Sequence, residues 1–299
     1  MNILPQKLKK GDQVAIISTA RKVNAIDLAP AIAVLKKWEL TPVIGSSIGL
    51  TENQFAGSDK ERAKDLQQQL NNPEIKAIWC AKGGYGSVRI LDLVDFSALQ
   101  QAPKWIIGYS DVTALHAHLH LQGIASLHAQ MCIDVETKSK ASRETLKDIL
   151  FGEKPHYNFP YAAFNKIGTA KGTLIGGNLS VLYSLCGSNS AVNTKGKILF
   201  LEDLDEYLYH IDRMMQNLKR NGMLENLAGL IVGGMTDMND NTIPFGKTAT
   251  EIILSSISEY SFPVAFNFPA GHIWDNQALI LGTEATLKVT SKQSRLTYC

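Results

Sequence analysis

A serine at the bend between an apolar strand and a helix has two uses. The stretch KWIIGYSDVTAL, residues 104–115, puts Ser110 in that place. Such a serine is most often a helix cap, accepting from the free amides of the first turn. It can also be a nucleophile, its hydroxyl raised from the sheet end while the next backbone N–H, that of Asp111, binds an oxyanion. Asp111 and Thr113 can share the capping, which lessens the need for Ser110 in that role. The G-x-S-x-G elbow of α/β-hydrolases is not matched, because Val112 stands where its last glycine belongs.

A nucleophilic hydroxyl needs a base and an acid to orient that base. Seven histidines are available. His116, His118 and His120 form HAHLH, whose first and last members lie one helical turn apart, a spacing able to bind metal. With no HExxH glutamate and no cysteine cluster beside them, they are expected to be packed or solvated helix histidines, so no metal is expected. His128, His156 and His210 have no distinctive setting. His272 does: it follows Phe-Pro-Ala-Gly at the end of an apolar segment, in a turn that presents side chains. A lone surface histidine is the plainer account of it. For the acid, LEDLDE at residues 201–206 sets four carboxylates after an apolar strand, usually a solvated loop, with Glu202 nearest the strand end. The turn Gly83-Gly84-Tyr85-Gly86 is a bare tight turn, a weak phosphate cradle without G-x-G-x-x-G or G-K-[ST] spacing, or a donor of the second oxyanion amide.

These residues sit at the ends of an alternating series of elements. Residues 12–18 read as a buried β-branched strand, and 25–38 as a helix with Leu28, Ile32, Leu35 and Trp38 on one stripe. A short strand at 41–45, a helix opened by the Ser58–Glu61 capping box, and a strand at 75–80 follow. Strands separated by helices predict a parallel sheet with helices on both faces, whose functional groups gather at the carboxyl ends. Both glycine-containing turns would stand there. The pattern breaks between residues 151 and 169, so the chain divides into an N-terminal α/β domain over 1–155, a linker over 156–170 and a β-rich α+β domain over 171–299. Residues 285–290 alternate like an antiparallel edge strand.

Composition bounds the partners. The 299 residues, 45% hydrophobic and 19% charged, suit a folded protein with a real core. The net charge of +2 is spread without a basic run, which argues against nucleic acid and for a small molecule or peptide. Cys80, Cys132, Cys186 and Cys299 have no metal-ligand spacing and favour free thiols. The apolar runs are too short for a membrane span or a signal-peptide core, which makes the cytoplasm the expected location.

Taken together, the motifs resemble those of the LD-carboxypeptidase family of serine peptidases. That family includes muramoyl-tetrapeptide carboxypeptidases and microcin C self-immunity peptidases. The resemblance rests on FAGSD (55–59) with Arg62, KGGYG (82–86), IGYSD (107–111), GGNL (176–179), FLED (200–203) with IDRM (211–214), and Gly271-His272 with Asn276. It implies a triad split over two domains, with Ser110 as nucleophile, Glu202 as acid and His272 as base. The backbone amides of Asp111 and Gly84 would form the oxyanion hole. Gly83, Tyr85, Asn178 and Glu206 are candidate substrate contacts. It further implies no cofactor, a homodimer, and release of terminal D-alanine from murein tetrapeptide. The alternatives are a peptidyl-nucleotide amide as substrate, a non-catalytic binding module, and metal-dependent hydrolysis through HAHLH. Lys82 replaces a common Arg, the first strand ends in Ser18-Thr19-Ala20 where Pro-Ser is commoner, and His128-Ala129-Gln130-Met131 replaces His-Gly-Pro-Met.

Overall fold

The computed structural model describes residues 2–299. Five strands open the chain: β1 (Gln13–Ile17), β2 (Thr41–Ile44), β3 (Ile75–Cys80), β4 (Trp105–Gly108) and β5 (Ser126–His128). All four pairings among them are parallel. The principal helices of this half are α1 (Ala29–Lys37), α2 (Asp59–Asn71), α3 (Ala98–Gln101), α4 (Thr113–Leu121) and α5 (Lys140–Leu150). The sheet is buried on both faces. Leu28, Leu35, Trp38 and Leu146 pack on one, and Leu66, Leu70, Leu115 and Leu119 on the other. Each such aliphatic side chain contributes about 1.5–3 kcal/mol on burial. Helix α2 starts at the expected capping box: Ser58 donates its amide to Glu61, and the Glu61 amide returns to Ser58 Oγ at 3.3 Å.

The second half holds β6 (His156–Pro160), β7 (Gly168–Asn178), β8 (Ile198–Leu204), β9 (Gly229–Thr236), β10 (Val264–Ala265), β11 (Leu279–Leu281), β12 (Glu284–Val289) and β13 (Gln293–Tyr298). Helices α6 (Leu179–Ser184), α7 (Leu208–Arg220) and α8 (Ala249–Ser256) cross between β7, β8, β9 and β10, which run parallel. The full order is β10-β9-β8-β7-β12-β13-β6, with the last three strands joined antiparallel.

Three expectations need correction. Residues 156–170 are not simply a linker, because β6 begins them and pairs with β13, burying Tyr157 and Phe159. The prolines at 155 and 160 suggested irregular chain, yet β6 lies at the sheet edge, where a missing N–H is tolerated. Residues 285–290 are not an edge, since β12 lies between β7 and β13. Alternation reports which face is buried, not where in the sheet a strand lies. The segment 171–299 is also not self-contained. Strand β11 leaves it to pair antiparallel with β5 and becomes the outer strand of the first sheet.

Candidate active site

Ser110 follows β4 with φ of +61°, one of six non-glycine residues in the left-handed region among the described residues. That conformation costs an L-residue about 1–2 kcal/mol. It turns the chain sharply into the helical turn that precedes α4. Ser110 therefore does not cap by its side chain. Its hydroxyl instead lies 3.1 Å from His272 Nε2. His272 Nδ1 lies 2.7 Å from Glu202 Oε2, which also accepts the His272 amide at 3.0 Å. Three residues from the turn after β4, from β8 and from the loop after β10 thus form one hydrogen-bonded line.

Each approach depends on small residues. Gly271 has φ of +103°, and a β-carbon on it would stand 2.7 Å from Glu202 Oε2, so only glycine lets His272 come this close. Across the junction of the two sheets, Thr113 Oγ1 accepts the Asn178 amide at 3.0 Å, where Gly177 leaves room for the threonine. This contact ties the helix that follows Ser110 to the carboxyl end of β7.

The electrostatics suit a proton relay. Burial opposes the charge on Glu202, but the facing His272, its hydrogen bond and nearby His128 prevail and hold the carboxyl down to about 2. Burial likewise opposes charge on His272, and Glu202 outweighs it, raising the imidazole above its ordinary value. Burial, then repulsion from Glu202, pushes Asp203 up to about 7. An imidazole so placed can accept the serine proton, with its positive form stabilised by the carboxylate behind it.

The glycine turn lies beside this line. Gly84 has φ of +99°, and its amide has no acceptor among the described residues. The Asp111 amide stands at the start of a helical turn, where first amides lack intrahelical acceptors. The Asp111 side chain has a use that sequence reasoning missed: it accepts the amides of Gly86 at 3.3 Å and Ser87 at 2.9 Å, fixing the glycine turn against the serine. Arg21 crosses Gly84, with Nε 2.5 Å from where a β-carbon would be, and its exposed guanidinium has no carboxylate within salt-bridge distance among the described residues. Gly83 is buried, its missing β-carbon close to Met131, and Tyr85 is exposed against Phe55. Lys138 donates to Ile273 O at 2.8 Å and lies over the Tyr109 ring, which itself packs on His272.

Other candidates are not brought to the line. Asn178 is buried and caps α6 through Val181 N while donating to Asp203 at 2.8 Å, so those hydrogen bonds serve the fold. Glu206 pairs with His210 at 2.6 Å, four residues on and outside the line's hydrogen bonds. The HAHLH imidazoles are held separately: His116 by Ser126 and Gly108, His118 by Ser190 and His120 by Asn2. Among the described residues no group of three His, Cys, Asp or Glu could hold a metal.

Residues 14–129 match the LD-carboxypeptidase N-terminal domain, and residues 171–287 match the LD-carboxypeptidase C-terminal domain. The chain belongs to the LD-carboxypeptidase family. It is a serine-type LD-carboxypeptidase enzyme. Among relatives, a probable murein peptide carboxypeptidase of Bacillus subtilis is 32% identical over 98% of this chain and 93% of its own. The murein tetrapeptide carboxypeptidase of Pseudomonas aeruginosa is 26% identical, covering 92% and 93%. The Escherichia coli microcin C7 self-immunity protein MccF is 27% identical, covering 99% and 96%. The solved muramoyltetrapeptide carboxypeptidase of Oxalobacter formigenes superposes with a TM-score of 0.87 at 26% identity, covering 96% and 98%.

Proposed function

We propose that this LD-carboxypeptidase releases the terminal D-alanine of murein tetrapeptide by a serine acyl-enzyme route, acting as a cytoplasmic homodimer. The observation that carries the reading is the line Glu202–His272–Ser110, at 2.7 and 3.1 Å, behind a serine held in a strained turn. His272 Nε2 takes the hydroxyl proton as Ser110 Oγ attacks the scissile carbonyl. The tetrahedral oxyanion is received by the amides of Gly84 and Asp111, each such donor being worth about 2.7–4 kcal/mol. The C–N bond then breaks, His272 hands its proton to the departing amine, and water hydrolyses the acyl-serine by the same steps. Glu202 keeps the imidazole in its productive tautomer throughout. Arg21, Lys82 and Lys138 around the glycine turn and His272 suit a substrate rich in free carboxylates.

A second reading, cleavage of a peptidyl-nucleotide amide, is supported by the 27% identity to the microcin C7 self-immunity protein over 99% of this chain. Mass spectrometry after incubation with murein tetrapeptide and with a peptidyl-adenylate separates the two. Loss of one alanine residue from the tetrapeptide is the expected result. Cleavage of the adenylate alone replaces the first reading with the second.

A further inference from the structure

Behind the catalytic line lies a second imidazole. His128 ends β5, beside Gly108 of the nucleophile's strand, and is fully buried. Its ring stands edge-on to Phe200 at 5.0 Å and Tyr109 at 5.8 Å, and 6.3 Å from the ring of His116. Its Nε2 lies 4.0 Å from Glu202 Oε1. Neither ring nitrogen of His128 has a hydrogen-bond partner among the described residues, and neither does Oε1. The two bonds to His272 both fall on the other oxygen, Oε2.

A buried carboxylate with one bare oxygen is costly, and so is a buried imidazole with two bare nitrogens. Here the two deficits face each other across about 1 Å more than a hydrogen bond spans. A small rotation of either side chain, or one bridging water, closes it. Gln130 and Asn276, both fully buried, also have unpartnered polar atoms.

We propose that His128 is a positioning residue of the catalytic line: its Nε2–H holds the outer oxygen of Glu202, so that Oε2 stays aimed at His272. Without that hold the carboxylate turns, and the imidazolium formed when Ser110 is deprotonated loses its counter-charge. The titratable groups facing the ring are Glu202 on β8, Tyr109 ahead of α4 and His116 on α4. The inference rests on the serine mechanism above and holds for either amide substrate.

Kinetics of His128→Leu, His128→Gln and His128→Asn test it on whichever of the tetrapeptide and the peptidyl-adenylate the wild type cleaves. Gln can place an amide where Nε2 stands, and Asn reaches only as far as Nδ1. The expected result is a kcat lowered about 10-fold or more in His128→Leu with KM changed less than about 2-fold, and substantial rescue in His128→Gln. Where His128→Leu does not fold, the comparison passes to Gln against Asn, with Gln expected about 10-fold faster. Equal rates in Gln and Asn, or a His128→Leu enzyme of wild-type kcat, overturn the proposal. Ser110→Ala runs alongside: surviving turnover there defeats the serine mechanism and this inference together, whereas its loss beside unimpaired His128 variants defeats the inference alone.

Discussion

Lys104 and Glu202 are both charged groups taken out of water, at 2% and 0% exposure, and their surroundings could hardly differ more. Lys104 stands at the amino end of β4. Its ammonium donates to the carbonyls of Gln69 and Leu70, both at 2.7 Å, and Asn72. The first two are orphan acceptors in the last turn of α2 and the third is its C-cap, so the charge and the helix terminus satisfy each other. Glu202, near the carboxyl end of β8, has one oxygen that accepts two hydrogen bonds and one that accepts none among the described residues. A charge whose bonds are complete fixes the fold. One left short retains capacity for bonds that change during a reaction. A hollow of about 430 Å³ opens beside Lys104, and neither Ser110, Glu202 nor His272 lines it.

The largest expected effect is on catalysis. Glu202→Gln should lower kcat about 10³- to 10⁴-fold, as read by steady-state kinetics. Its pH profile sharpens the point. His272 must be neutral to act, and Glu202 raises its pKa, so wild-type activity should rise through a pH above the ordinary imidazole value of about 6.5. In Glu202→Gln that limb should move to lower pH, and an unmoved limb would show that another group sets it. Lys104→Met should behave oppositely, losing about 2–4 kcal/mol of stability by orphaning its carbonyls, with kcat near wild type at 25 °C. An equal fall in kcat would erase the distinction between the two charges. Asp111→Asn should fall between, with kcat down about 10-fold and about 1–2 kcal/mol of stability lost, because the side chain anchors the glycine turn while the backbone amide is kept.

Much of the architecture was legible because burial has a period. The alternating strands and helices of the first half, the α2 capping box and the separate run of strands in the second all stand out by patterning. What escaped depended on pairing at a distance. Nothing local distinguishes β11, three apolar residues, as a strand that joins β5 on the other sheet. Strand β6 was hidden by its flanking prolines. At the site, Ser110, Glu202 and His272 were each ambiguous alone, and only their motifs in order raised them together. The cap that Asn178 forms ahead of α6 was not read, though an asparagine in that place is a common one. His128 looked unremarkable because burial against Glu202 is a property of the fold, although the altered motif around it offered a signal.

Strand β11 and His272 both lie in the final thirty residues, while the serine they serve lies 162 positions earlier. At synthesis rates of about 5–20 residues per second, Ser110 emerges about 8–32 s before its partner imidazole. Through that interval the first sheet lacks its outer strand and Ser110 lacks the imidazole that lies 3.1 Å from it in the folded chain. The order of the chain thus leaves the strand that completes its first sheet, and the imidazole that meets Ser110, among the last residues to be made.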